Sequence, residues 1–150
     1  MRKVFIIATA LSLAAFTVQF ILAAVGAFTK PAVDGAYVLH SVNGTVVIPV
    51  LTLLTILFAA LAKAPGRVIG LAVLPLGLVI LQALLATFAN AATDAVGAST
   101  PFGLTMAGLH ALNGIIAVHV VVGVLQAARN LAGPAPADAP GVTSREKEPV

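Results

Sequence analysis

Two hexapeptides carry the residues best suited to chemistry. LHSVNG (39–44) and LHALNG (109–114) each place a His, an Asn and a Gly at i, i+3 and i+4. On a helix these three share one face, which extends to Val47 and Val50 on one helix and to Ala117 and Val121 on the other. Neutral imidazole ligates metals through a ring nitrogen. A neighbouring amide hydrogen-bonds across helices or orients the imidazole by its second nitrogen. A Gly one turn below a His leaves a flat patch against which a planar macrocycle can lie. His40 and His110 stand 70 positions apart (110 − 40), and at the same offset Pro31 falls on Pro101, Asn43 on Asn113, Gly44 on Gly114 and Val50 on Val120. At an offset of 63 (82 − 19), QFILA (19–23) falls on QALLA (82–86), which pairs Gln19 with Gln82. The chain repeats itself once.

The elements that must position these residues are equally plain. The 150-residue chain is 60% apolar, more than a soluble domain of this size can bury. Residues 4–28, 36–62, 68–92 and 102–128 contain no Asp, Glu, Lys or Arg. A helix needs roughly 20 apolar residues to cross a bilayer core. The runs lack the roughly ten-residue alternation of a membrane β-barrel. The expected fold is therefore all-α, an integral membrane four-helix bundle made of two parallel-repeat helical hairpins. Its helices are expected over about 4–28, 36–62, 68–92 and 101–129, within a domain spanning 1–131. Thr100-Pro101 reads as an N-cap followed by proline at the first helical position. Pro31 suggests a similar start for the second helix, Pro65-Gly66 marks a turn, and Pro49 and Pro75 should loosen the helices they sit in. The Pro/Ala-rich segment 132–150 reads as a disordered cytoplasmic tail. A cleaved signal is the rival reading of the first run, which is longer than the usual roughly 7–15 residues of a signal core.

The net charge of +3 is a topology signal and does not point to nucleic acid. Arg2, Lys3, Lys63, Arg67 and Arg129 flank one side, whereas Lys30, Asp34 and Asp94 flank the other. By the positive-inside rule both termini face the cytoplasm, and the 29–36 and 93–101 connections face outward. The expected location is a bacterial cytoplasmic membrane, with the lipid bilayer as the first partner. The absence of cysteine excludes disulfides, thiolate metal sites and covalent c-type haem attachment.

Parallel repeats are related by an axis along the membrane normal. That symmetry sets His40 opposite His110 near the outer side, and Gln19 opposite Gln82. Two imidazoles on opposed helices supply the axial ligands of a haem, with apolar helices as walls. The metal ligands are then His40 and His110, and the cofactor is a non-covalent bis-His haem b between the second and fourth helices. Gly44 and Gly114 would face it. Asn43, Asn113, Gln19 and Gln82 would bind or orient around it, and the two glutamines could also meet a quinone. The plainer reading makes all four amides helix-packing glue. Two His without a third ligand make a poor zinc or copper site. His119 lies nine residues beyond His110, on the opposite helix face, and its repeat partner is Pro49. It reads as a packing or interfacial residue. Tyr37 lies one turn before His40, within reach of a hydrogen bond at the interface.

In its four helices and paired His, the chain resembles the bis-His membrane b-type cytochromes and one half of haem A synthase. The order VQFILAAVGAF, LH, LPLGLVILQALLA, LHALNG also resembles an uncharacterised family of small bacterial four-helix membrane proteins. The resemblance implies that His40 and His110 are axial haem ligands. It does not extend to haem oxidation. Tyr37 stands where the catalytic half of haem A synthase has an acidic residue, and Ser41 stands where that enzyme has an arginine. The function expected from these residues is single-electron transfer with quinol or an outer-side redox partner. A cofactor-free structural or accessory membrane subunit is the alternative. A small lipid or quinone carrier is a third reading, weakened by the lack of charge in the spans.

Overall fold

The computed structural model describes residues 1–31, 33 and 35–133. The tail proposed for 132–150 lies outside them from residue 134 onward, as does Asp34. Four helices account for nearly all of the described chain: Arg2–Phe28, Val38–Leu61, Gly66–Ala91 and Pro101–Ala132. Each is long and apolar enough to cross a membrane, at 27, 24, 26 and 32 residues. Helices suit lipid because they satisfy every interior backbone group internally. The first helix packs on the second and fourth, and the third packs on the same two. The second and fourth helices therefore stand diagonally across the bundle.

The inside of the bundle holds polar side chains beside its apolar ones. Thr9, Ser12, Asn43, Thr52, Thr55 and Asn113 are buried, whereas Leu, Ile, Val and Phe side chains cover the exterior. Lipid provides no hydrophobic force between helices, so small residues and paired polar groups hold them together. Thr9, Thr52 and Thr55 donate to the carbonyls of Phe5, Ile48 and Leu51, four residues back, each at 2.8 Å. Ser12 and Thr55 join the first two helices through a 3.0 Å hydroxyl contact. Near the termini, Phe5 fills a cluster of small residues that includes Ala59, Ala72, Val124 and Ala128. A second cluster, Ala15, Phe16, Ile48, Ala117 and Val121, lies above it.

The second helix departs from a regular α-helix. Asn43–Val47 form a π turn, closed by the Ile48 amide donating to the Asn43 carbonyl. Pro49 follows immediately and lacks the N–H that a regular ladder would require. The π turn takes up one extra residue, which corrects the face expected from repeat symmetry. Ala117 and Val121 are buried as expected, but Val47 and Val50 face outward and Ile48 is buried instead. Below the turn the buried positions match at an offset of 69: Ile48 with Ala117, Thr52 with Val121, Thr55 with Val124 and Ala59 with Ala128.

The connections also refine the expectations. The second helix begins at Val38, not near Pro31, because the chain turns at Gly35 with φ 91°. Its far end is a Schellman-type stop. The Ala64 amide donates to Ala59, the Lys63 amide donates to Ala60, and Lys63 takes the left-handed φ of 55°. Pro65 then caps the third helix. Asp94 organises the last connection by accepting the amides of Val96 and Ala98 at 3.0 and 2.8 Å. Thr100 is the expected N-cap. Its hydroxyl oxygen accepts the Gly103 amide at 3.1 Å, while its proton goes to the Ala92 carbonyl at 2.7 Å. One hydroxyl thus joins the end of the third helix to the start of the fourth. Thr100→Ala is predicted to lower unfolding stability by about 1–2 kcal/mol, whereas Thr100→Ser keeps most of it. Thermal or denaturant unfolding in mild detergent measures both.

Candidate functional site

The paired motifs are built from the same set of hydrogen bonds. In the first hairpin, His40 Nδ1 donates to the Gln19 backbone carbonyl at 3.1 Å. The Gln19 side-chain amide donates back to the His40 carbonyl at 3.0 Å. The Asn43 amide donates to Gln19 Oε1 at 2.7 Å and to the Ala15 carbonyl at 3.0 Å. In the second hairpin, His110 Nδ1 donates to the Gln82 carbonyl at 3.0 Å, and the Gln82 amide returns to the His110 carbonyl at 2.8 Å. The Asn113 amide donates to the Leu78 carbonyl at 2.9 Å and also to Gln82 Oε1. The His-x-x-Asn of one helix therefore clasps a Gln on its hairpin partner, once in each half. The four amides act as interhelical glue, and in doing so they position the imidazoles.

Gly44 leaves room for the first clasp, and Gly114 sits in ordinary contact with the second. A Cβ on Gly44 would lie 2.7 Å from Gln19 Nε2. One on Gly114 would lie 3.4 Å from Gln82 Nε2 and 3.3 Å from the Phe20 ring. Both glycines also line the cavity beside the imidazoles, so their open faces serve the partner amide as well as that space.

A backbone carbonyl can only accept, so each Nδ1 must carry the ring proton. The remaining Nε2 of each ring is then a lone-pair nitrogen, the form in which imidazole binds metals. The His40 and His110 rings approach across the bundle diagonal with centroids 6.2 Å apart and planes inclined by 50°. Two metal–imidazole bonds of about 2.0 Å, with the half-width of each ring, put ring centres about 6 Å apart. The halves differ in one respect: Gln19 Nε2 also approaches His40 Nε2 at 3.2 Å.

Two cavities meet at the pair. One, of about 130 Å³, is walled by Phe16, Phe20, Ile48 and Leu78. The other, of about 270 Å³, opens toward Thr45, Pro49 and Ala86. His40, His110, Gln19 and Gln82 line both. Among the described residues, no three His, Cys, Asp or Glu side chains converge on a metal position. Tyr37 meets the His40 ring edge-on, with centroids 6.1 Å apart. His119 stands apart from the pair, exposed on the outer face of its helix. The hydroxyl cluster of Thr9, Ser12, Thr52 and Thr55 was missed at the sequence level, and their spacing on two successive helices was the available signal.

Replacing one clasp partner strands the other in an apolar setting. Gln82→Leu and Asn113→Leu are each predicted to destabilise the bundle. The double variant should reveal a coupling of about 0.6–1.7 kcal/mol, the range of side-chain hydrogen bonds between membrane helices. A double-mutant unfolding cycle measures it, and strict additivity would argue against the clasp.

A family profile, described as a family of unknown function (DUF6220), matches residues 19–90. That is slightly under half of the chain. The matched segment includes the whole first clasp and Gln82, and it stops before His110. No curated protein and no solved structure matches the chain. Nothing in these comparisons supports the likeness to bis-His cytochromes and haem A synthase expected from the sequence. Within the comparisons, the chain is similar to this family over residues 19–90, from the last part of the first helix almost to the end of the third.

Proposed function

We propose that the chain is a membrane b-type haem protein, with one haem held between His40 and His110. On this reading it exchanges single electrons with quinol or with a redox partner at the end of the bundle opposite its termini. The observation that carries the reading is the matched pair of imidazoles. Each has Nδ1 committed to a glutamine backbone carbonyl and Nε2 as a lone-pair nitrogen, met in His40 by the Gln19 amide, and the ring centroids lie 6.2 Å apart beside largely apolar cavities. A hydrogen bond from the non-ligating nitrogen to a backbone carbonyl is the usual support of a metal-binding His. The bound group supplies one-electron redox chemistry at its iron.

This chain's own residues then bind and shield. His40 and His110 would hold the group through their Nε2 lone pairs. Gln19 and Gln82 hold the rings in one tautomer and one orientation. On ligation, the Gln19 side-chain amide would give up its 3.2 Å approach to His40 Nε2 and keep its bond to the His40 carbonyl. Phe16, Phe20, Ile48 and Leu78 keep water away. The site lies toward one end of a hydrocarbon core about 30 Å thick, so exchange at that end is favoured over passage across the membrane. The distribution of Lys and Arg supports assigning that end to the outer side of a bacterial cytoplasmic membrane, with both termini in the cytoplasm.

A second reading has its own support. No buried side-chain nitrogen or oxygen among the described residues lacks a hydrogen-bond partner. The clasps are thus complete without a cofactor, as expected of a structural or accessory subunit. Absorbance of the purified protein, oxidised and then dithionite-reduced, separates the two. The haem reading predicts low-spin b-type bands, with one haem per chain, lost in His40→Ala and in His110→Ala. It also predicts that Gly114→Leu remains helical but fails to load haem. A protein that stays colourless after haem is added would overturn it in favour of the structural role.

A further inference from the structure

Near the middle of the fourth helix, an imidazole faces lipid. His119 is exposed, and its Nδ1 donates to the Ile115 carbonyl at 2.8 Å. The proton must therefore reside on Nδ1, leaving Nε2 as an acceptor. His119 borders a groove of about 210 Å³ between the first and fourth helices, together with Thr17, Phe20, Ile115 and Val118. The Thr17 hydroxyl proton is likewise spent, on the Leu13 carbonyl at 3.0 Å. The groove thus presents two acceptors, no donor and no charge, within apolar walls. An unmatched acceptor in hydrocarbon costs free energy. Its complement is a hydroxyl carried on an apolar body. Phe20 forms a wall of this groove and also of the cavity at the His pair.

We infer that this groove binds the ring of a lipid-soluble hydroquinone. One hydroxyl donates to His119 Nε2, the ring lies against Phe20, and the tail extends into lipid. The choice of a hydroquinone over other apolar alcohols rests on the electron-transfer reading above. The acceptor-only character of the groove does not depend on it.

The test uses the full chain in lipid nanodiscs with ¹⁵N-labelled histidine. Decylhydroquinone, its dimethyl ether and decanol are titrated in turn, and affinity and the His119 Nε2 resonance are recorded. Saturable hydroquinone binding that shifts this resonance is expected. His119→Leu should weaken binding about fivefold, the scale of one neutral hydrogen bond, and His119→Gln, which keeps an acceptor, should restore most of it. The dimethyl ether should bind the wild type as weakly as the hydroquinone binds His119→Leu. Unchanged affinity in His119→Leu, or equal binding of the ether, overturns the proposal. Equal binding of decanol assigns the groove to alcohols in general and rejects the hydroquinone. A dimer that His119→Leu converts to monomer would mean that a second copy occupies the groove, which also overturns it. Hydroquinone binding to a protein without b-type bands supports the groove and removes the cytochrome reading. Bands without binding remove only the groove.

Discussion

The bundle depends on one requirement: a polar side chain inside a lipid-embedded protein must find its partner inside the protein. The Gln–Asn–His clasp meets it twice. One glutamine amide closes the carbonyl of the His, its oxygen takes the Asn amide, and its own backbone carbonyl takes the imidazole proton. The Asn spends its second proton on the carbonyl one turn before the glutamine. Each hairpin is thereby locked in register at the end far from the termini. Gly44 follows from this, since a Cβ there would press on the Gln19 amide, whereas one on Gly114 would be tight only against the Phe20 ring.

The same requirement shapes the rest of the interior. Toward the termini, hydroxyls return their protons to their own helices and let alanine-rich faces approach closely. The cavities open where the two clasps face each other across the diagonal, because the amides draw inward to their hairpins and leave the imidazoles between them. A polar network built for packing therefore also presents two ring nitrogens in one protonation state. A structural role and the proposed cofactor-binding role would therefore rest on the same residues, and loading with haem, not geometry, separates them.

The two halves are not identical. The π turn at Asn43–Val47 lies directly below His40 and has no counterpart below His110. It directly precedes Pro49, whose nitrogen has no proton for the ladder, and moves the buried face by one residue. His40 also receives an additional contact from Gln19 that His110 lacks from Gln82. The pair is thus symmetric in its tautomers and asymmetric in its surroundings, a difference expected to distinguish the two ligands if a metal binds.

Much was legible in the sequence because the bilayer applies a simple rule. Four charge-free apolar runs read as spans, Thr100-Pro101 reads as a helix start, and the repeated LHxxNG with its two glutamines pointed to the candidate site. The sequence by itself thus determined the helices, their antiparallel order and the residues that meet near one end. What the tertiary structure decided was the partner of each polar atom. Repeat symmetry placed Gln19 opposite Gln82, yet each glutamine turns to its own hairpin because the adjacent helix offers carbonyls at hydrogen-bonding distance. Periodicity placed Val47 and Val50 inside, yet a prolyl nitrogen that cannot donate shifts the helix by one residue and buries Ile48. Hydropathy reports which segments enter lipid. Within them, the direction of each donor and acceptor is fixed only once neighbouring backbones are in place.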